Sequence, residues 1–222
     1  MKKLEVSVYE ILRNQIINLE YKPGQELNVN ALVEKLGVSR SPVRDALLRL
    51  SLDNLVDIFP QKGTRVSLLD VKIIQQERFM RINLELGVLK QFMKSLDETK
   101  QKVCGTKLQA ILLQQHASLM DSNRKDFLQY DDEMHHFFYE QSGNEWIWNV
   151  ICNHTGNDHR IRMLSYNAHH IADNVEEEHK ALVNAVMAGD FEKALEIDEA
   201  HLQKLTEVFE PLMKNFPEYF CE

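Results

Sequence analysis

Helical spacing of apolar residues from Asp70 to about Met213 is the feature that most restricts the fold of this chain. Few helix breakers interrupt it. Short polar or glycine-containing segments divide the stretch near residues 97–106, 121–125, 143 and 189. These divisions leave roughly six amphipathic helices, which bury their apolar stripes by packing on one another. We therefore expect an antiparallel all-helical bundle over residues 69–222.

The beginning of the chain follows a different pattern. Apolar residues at helical spacing predict a first helix over about 5–20, and Pro23 and Gly24 close it. A short second helix over 31–36 is stopped by Gly37. Ser39 or Ser41 can cap a third helix that carries Val43, Ala46, Leu47 and Leu50 inward. Helix, glycine-containing turn and helix is the helix-turn-helix pattern.

A small hairpin is predicted directly after the third helix. Residues 55–59 alternate like a strand, residues 60–63 read as a turn, and residues 64–66 return. The hairpin corresponds to a wing. The sequence thus predicts a winged helix-turn-helix domain over residues 1–68, followed by the helical domain.

Charge divides the chain at the same point. The 222 residues carry a net charge of −8, which by itself argues against a nucleic-acid partner. However, residues 1–67 hold ten basic and eight acidic residues, whereas the remainder holds sixteen and twenty-six. The location of the charge therefore favours contact between the first domain and a polyanion.

Arg40 and Arg44 lie one turn apart on the polar face of the third helix, where they could contact guanine in a major groove. Arg49 falls about half a turn around the helix, which indicates either a phosphate contact or a structural ion pair. On the wing, Lys62 supplies charge for the DNA backbone, and Gly63 permits a tight turn and close approach.

Several other classes of protein are disfavoured. The three cysteines are widely spaced and form no CxxC pair, so they indicate neither a disulfide framework nor a thiolate zinc site. Nothing in the sequence reads as a membrane span or a signal peptide, and we expect a soluble cytoplasmic protein. Phosphate-binding glycine motifs and the GxSxG nucleophile turn are also missing.

Histidines inside apolar stripes point to a buried polar site. His201 shares its stripe with Ala194, Ile197 and Leu205, and His179 lies in a similar stripe of the preceding helix. A turn at Gly189 lies about midway between the two histidines. An antiparallel hairpin about that turn therefore places them at the same height.

An earlier helix adds Asp131 and His135, one turn apart on an apolar face. The overlapping pair Asp132 and His136 aligns with polar residues and reads as the solvent side. Three inward histidines and an aspartate are costly to bury unless they are paired or bind a cation. Imidazole with carboxylate suits a divalent transition metal, first zinc, with nickel, iron or manganese as alternatives.

The segment from Gly37 to Leu47, followed by Leu55-Val56 and a Lys-Gly wing turn, resembles the GntR family of bacterial regulators. The resemblance covers the first domain and implies that Ser39, Arg40, Ser41 and Arg44 contact DNA. It also implies that Gly63 approaches the minor groove. Family members often carry acidic residues at the start of the second helix, where this chain has Asn28, Asn30 and Ala31.

The second domain resembles the FCD ligand-sensing domain of the FadR branch of that family. Four segments carry the resemblance: Asp131-x-x-x-His135, Ser142-Gly143-Asn144, Glu178-His179 and His201-Leu202. It implies that Asp131, His135, His179 and His201 are metal ligands, although Met134 stands where an aromatic residue is commoner. Arg81, in an Arg-x-x-Leu-Glu motif, would hold an effector carboxylate or instead pair with Glu85.

The remaining histidines are less informative. His116 reads as a surface residue. Periodicity does not decide between the cavity and the surface for five further residues, His154, His159, Arg162, His169 and His170.

Together these features predict a transcription regulator and not an enzyme. A homodimer would bind a palindromic operator in double-stranded DNA, and a small carboxylate would complete the coordination of the metal. Two alternatives remain open at this point. The metal site could be purely structural, or the three-histidine site could activate water in a metallohydrolase, although no HExxH-type base accompanies the ligands.

Overall fold

A computed structural model describes residues 6–168 and 172–221. In the first part of the chain, helices and strands have the following bounds: α1 Val8–Ile17, α2 Val29–Leu36, α3 Arg40–Leu52, β1 Val56–Phe59 and β2 Gly63–Val66. In the second part the helices are α4 Val71–Lys94, α5 Glu98–Met120, α6 Arg124–Gln141, α7 Glu145–His154, α8 Gly156–Ala168, α9 Ala172–Ala188, α10 Phe191–Lys204 and α11 Phe209–Asn215. The predicted fold class is confirmed.

The helix-turn-helix has clear local causes. Ser7 and Glu10 form a capping box at the start of α1, so this helix is shorter than the predicted 5–20. Leu19, included in the predicted stripe, has a φ of 60° beyond the end of the helix. Gly37 ends α2 in the left-handed conformation, with a φ of 65°, and so turns the chain into α3.

The wing is an antiparallel hairpin in which Val56 pairs with Val66 and Phe59 pairs with Gly63. Leu12, Leu32 and Leu47 belong to the buried core beneath it, which all three helices share with the hairpin. Leu50, at the end of the predicted apolar stripe of α3, is completely buried in this core. The core therefore fixes which face of α3 remains outside.

Five helices of the second part close a ring: α4 packs on α6, α6 on α5, α5 on α9, α9 on α10, and α10 returns to α4. Three expectations about this part were wrong, and the first is the number of helices: about six were expected, whereas the described residues form eight. The break expected near residues 97–106 is confined to residues 95–97, and residues 98–106 are helical, with Gly105 allowing Met187 of α9 to approach α5 closely. The last predicted helix is divided, with a short 3-10 helix over Leu205–Val208 between α10 and α11.

The two parts are joined by more than the linker, residues 67–70. Helix α8 packs on α1, and the Arg160 guanidinium donates to the Ser67 carbonyl oxygen at 2.7 Å. The C-terminal segment returns to the linker, where the Leu69 amide donates to the Tyr219 carbonyl oxygen at 2.8 Å. The first part is therefore held directly against α8.

Candidate functional site

The outer face of α3 carries exposed basic side chains. Arg40 and Arg44 are both exposed, and neither is paired with a carboxylate in the part of the chain that the structure describes. Ser39 occupies the N-cap position, yet its side chain makes no capping hydrogen bond. Ser41 is exposed beside it. These four side chains are free to contact an external partner.

Arg49 lies apart from this group. Its guanidinium lies over the Tyr9 ring, 3.9 Å from the centroid, and the Tyr9 hydroxyl donates to Asp53 at 2.7 Å. The structure therefore gives Arg49 a cation–π contact that fastens α3 to α1, where the sequence had left a phosphate contact or an ion pair open.

The wing also carries basic side chains. Lys62 is exposed at the tip, and Gly63 has a φ of 107°, which a residue with a Cβ rarely adopts. The guanidinium of Arg65 lies 4.4 Å from the Phe59 ring centroid, so this residue also packs on the hairpin itself.

Within the ring of helices, the four predicted metal ligands come together. Asp131 and His135 project from α6, His179 from α9 and His201 from α10, and one potential ligand atom of each lies within 4.8 Å of the others. The Nε2 atoms of His179 and His201 are 3.3 Å apart, and His179 Nε2 is 3.6 Å from Asp131 Oδ1. The Asp132–His136 pair does not join them.

Each histidine directs its second imidazole nitrogen at an acceptor, and the three acceptors lie on three different helices. His179 Nδ1 lies 2.9 Å from Gln115 Oε1 of α5, and His201 Nδ1 lies 2.8 Å from Glu178 Oε2 of α9. His135 Nδ1 contacts the Glu85 carboxylate of α4. An acceptor at Nδ1 favours a proton there, which leaves the Nε2 lone pair for a metal.

Electrostatics agree with this arrangement at three of the four groups, Asp131, His179 and His201. Burial lowers the pKa of His179 and of His201 below the ordinary value, so both imidazoles are neutral near pH 7. Burial alone would raise the pKa of Asp131, but the Arg162 guanidinium and the nearby imidazoles lower it, and this carboxylate stays ionised. Burial opposes protonation of His135 as well, but the Glu85 carboxylate raises the pKa of this imidazole.

The residues present fit a divalent metal. Without a cation, imidazole lone pairs and a carboxylate oxygen face one another at short range in a buried space. His135 Nε2 is buried and has no hydrogen-bond partner among the described residues. Imidazoles supported at Nδ1, together with one carboxylate, form a donor set that zinc, nickel, iron and manganese accept.

A cavity of 210 Å³ adjoins the four residues. Asp131 and His201 are part of its wall, together with three arginines, Arg78, Arg81 and Arg162. All three arginines are buried, and each is paired with a carboxylate. For Arg81, the anticipated pair with Glu85 is present, with Nε 2.9 Å from Oε2, and Asp158 lies 3.3 Å from Nη1.

Some contributors to the site were not foreseen. Gln115 interrupts the apolar face of α5 at helical spacing from Leu108 and Leu112, and this irregularity was the available signal. The sequence pattern indicated Glu85 only as a partner of Arg81. Its contact with His135 joins two different helices, so sequence spacing could not reveal it.

The other histidines that the structure describes do not belong to this cluster. His116 is about half exposed and lies 2.9 Å from Glu176, while His136 lies 2.8 Å from Glu145. His154 is exposed at the end of α7. His159 and Arg162 line a second cavity, beside α1. His169 and His170 lie outside the described residues.

Comparison with known families decides the identity of the fold. Residues 4–66 match the model of bacterial regulatory proteins of the gntR family, and residues 79–204 match the FCD domain model, which spans more than half of the chain. The chain belongs to the GntR family. It is a DNA-binding transcription regulator with an FCD domain.

Curated relatives agree. An uncharacterized HTH-type transcriptional regulator in an unstable DNA locus of Streptomyces ambofaciens is 30% identical over 96% of this chain and 88% of that protein. The HTH-type transcriptional repressor RspR of Escherichia coli strain K12 is 24% identical over 97% of this chain and 92% of its own length. These relatives and both family models describe regulators and not enzymes, so the metallohydrolase alternative is set aside.

Solved structures show the same fold. E. coli McbR/YncC gives a TM-score of 0.78 at 21% identity, and the match covers 97% of this chain and 100% of that chain. A putative GntR regulator from Rhodococcus sp. RHA1 gives 0.77 at 19% identity, covering 91% and 96%. In the part of the present chain that the structure describes, no helix is long and apolar enough to cross a membrane.

Proposed function

We propose that this GntR regulator binds its operator under the control of a small carboxylate that enters the cavity beside a metal held by Asp131, His135, His179 and His201. The observation that carries the proposal is the convergence of these four groups beside a 210 Å³ cavity whose wall includes Asp131 and His201. We further propose that the DNA-binding domain occupies residues 1–68 and the sensing domain residues 69–222.

On the DNA side, Arg40 and Arg44 contact guanine edges in the major groove, since both are exposed on the outer face of α3. Ser39 and Ser41, together with Lys62 and Gly63 on the wing, contact the DNA backbone or approach the minor groove. Arg49 holds α3 against α1 and contributes a phosphate contact only through its exposed edge.

A homodimer would place two α3 helices in successive major grooves of a palindromic operator. A change in the relative position of the two DNA-binding domains then changes operator affinity. Zinc is the first candidate for the metal, ahead of nickel, iron and manganese.

On the sensing side, a bound divalent metal would offer open coordination positions to the carboxylate of an effector. The protein supplies the rest of the environment. Arg81 and Arg162 contribute positive charge at the wall of the cavity, although each is already paired with a carboxylate. An incoming carboxylate would therefore compete with those pairs.

A continuous series of polar contacts leads from the candidate metal centre to α1. Arg162 contacts the Asp131 carboxylate and donates from Nη1 to Asp132 Oδ1 at 2.7 Å. Asp132 Oδ2 lies 3.6 Å from His159 Nδ1, and His159 Nε2 lies 3.5 Å from the Asn18 side-chain oxygen at the end of α1. Displacement of Arg162 by an effector would thus change the contacts that α8 makes with α1 of the DNA-binding domain.

A gel-shift assay on DNA upstream of its own gene tests this function. We expect specific binding of metal-loaded protein that falls steeply as salt is raised, and at least one small carboxylate that changes the affinity. If metal raises stability but no carboxylate changes operator affinity, the site is structural. If specific binding is missing at low salt, with and without metal, the DNA proposal is wrong.

A further inference from the structure

A second cavity, of 340 Å³, lies between the DNA-binding and sensing domains. Its wall on one side is α1, with Arg13 and Asn14, and on the other side α6, α7 and α8. The cavity is large enough for a ligand of several heavy atoms. Because both domains contribute side chains, a ligand here would contact both at once.

Positive charge predominates in the wall. Four cationic side chains, Arg13, Arg81, Lys125 and Arg162, face a single carboxylate, Asp132. Arg81 and Arg162 are already paired, but Arg13 is not paired with a carboxylate among the described residues. The Arg13 Nη2 atom donates to the Cys152 carbonyl oxygen, but the Nε atom is buried and has no hydrogen-bond partner there. An anionic oxygen would satisfy it.

Lys125 is the second available cation. Its ammonium is 3.6 Å from Glu20, and its side chain is 60% exposed, so this surface pair is weak and exchangeable. Ile17, Trp148 and Ile151 line the cavity as well and supply an apolar surface. The wall therefore combines a cationic end with a place for an apolar body.

The cavity is separate from the one beside the candidate metal centre. Arg81 and Arg162 line both cavities and form the partition between them. None of His135, His179 and His201 lines the interdomain cavity. Removal of an imidazole from the candidate metal centre therefore leaves the interdomain wall intact.

We propose that the interdomain cavity is a second ligand site, which takes a small organic anion with one carboxylate or phosphate group and an apolar body. The anionic group lies against Arg13 and Lys125, and the body packs on Trp148 and Ile151. Since α1 forms one wall, occupancy fixes the DNA-binding domain relative to the sensing domain. This site is additional to the proposed effector site and does not require a metal.

The two tryptophans of the chain provide a direct test. Trp146 is 76% exposed, so Trp146→Phe leaves Trp148 as the reporter in the cavity wall. Benzoate and phenyl phosphate, titrated into the full-length Trp146→Phe protein, should each give a saturable change in Trp148 fluorescence. The two probes distinguish a carboxylate from a phosphate preference.

Further variants, made in the Trp146→Phe protein, locate the bound probe. Arg13→Met should weaken binding about tenfold, because a buried charge-assisted hydrogen bond is lost. Lys125→Met should weaken it about two- to fivefold, as expected for an exposed cation. Lys90→Met, at an exposed position of α4, should change nothing, and His179→Ala should leave binding within about twofold.

Several results would overturn the proposal. One is the lack of a saturable change with both probes. Another is binding that Lys125→Met leaves unchanged, and this variant decides the matter if Arg13→Met does not fold. Loss of the signal in His179→Ala would place the probe in the metal-site cavity. In that case the proposed effector site would stand and the interdomain site would fall.

Discussion

At the scale of single residues, the candidate metal centre depends on how each imidazole is oriented. Glu85, Gln115 and Glu178 each face the Nδ1 atom of one histidine, so the three Nε2 atoms point toward a common volume. Neutral His179 and His201 and ionised Asp131 are the protonation states that metal binding needs.

Replacement of one ligand should abolish stoichiometric metal binding. We expect about one divalent metal per chain in the native protein and a large loss in His179→Ala, because the remaining groups no longer complete the site. Metal content after dialysis against zinc, measured by mass spectrometry, checks this. His136→Ala is the matched control, since His136 lies on α6 but pairs with Glu145. Equal metal content in native protein and His179→Ala would contradict the assignment.

The residues that accept hydrogen bonds from the imidazoles should affect metal affinity almost as strongly as the ligands do. Gln115→Leu keeps the side-chain volume but removes the acceptor from His179 Nδ1, and we expect metal affinity to fall about 10- to 100-fold. A competition titration with a chelator measures the change. Gln114→Leu, at an exposed position of the same helix, should leave metal affinity unaltered. If the two variants behave alike, Gln115 has only a packing role.

Sequence spacing was sufficient to bring Asp131, His135, His179 and His201 into one neighbourhood. Helical periodicity fixed the inward face, and the Gly189 turn fixed the height of His179 against His201. The contacts of Glu85 and Gln115 with the imidazoles could not be predicted, because they depend on how α4 and α5 pack in the ring. Their role as metal support stays a prediction.

At the scale of elements, the arginines of α3 lie in two different environments. Arg40 and Arg44 are exposed, whereas Arg49 packs on the Tyr9 ring. The pattern of apolar residues was enough to predict which face of α3 is buried. The cation–π contact of Arg49 was not predictable, since it depends on the position of α1.

Arg44→Ala should weaken specific operator binding by about 1–3 kcal/mol and relax the preference at one base pair. Lys62→Ala should weaken binding to all sequences alike and lower the salt slope by about one. Fluorescence anisotropy on operator and scrambled DNA over a range of salt separates the two effects. The assignment of Arg44 to base reading fails if it behaves like Lys62.

Helix ends were harder to predict than helix faces. The sequence suggested a break over 97–106, but the chain turns at 95–97 and α5 is continuous from Glu98, because the close packing of Gly105 against Met187 offsets the low helix propensity of glycine. Conversely, the apolar stripe through Leu205 and Val208 suggested one helix, but the chain tightens into a 3-10 turn between α10 and α11. Periodicity reports a face and does not report a local change of helix type.

At the scale of the whole molecule, the DNA-binding domain is attached to α8 by a buried arginine. Arg160 is completely buried and donates to the Ser67 carbonyl oxygen at 2.7 Å. Arg160→Met should destabilise the protein by about 2–5 kcal/mol, because buried carbonyl groups lose their donor. Denaturant unfolding checks this, with Lys214→Met at an exposed position as control. A change below about 0.5 kcal/mol would show that this bond does not hold the domains together.

The contacts from the candidate metal centre to α1 predict a variant that still binds both the effector and operator DNA but couples the two binding events more weakly. Asp132→Asn weakens the link between Arg162 and His159, and we expect the effect of an effector on operator affinity to fall by about 0.5–2 kcal/mol. Metal content should not change. Glu133→Gln, at an exposed neighbouring position, is the control. Full coupling in Asp132→Asn would show that communication takes another route.

The most direct test of the central claim is a thermal-shift panel of small carboxylic acids on metal-loaded and chelator-stripped protein. A ligand that binds the native state raises the melting temperature by mass action. The account predicts that at least one acid raises it only in the metal-loaded protein, and that this rise vanishes in His179→Ala. No rise with metal, and none with any acid, would contradict the sensing mechanism and leave the DNA-binding function alone.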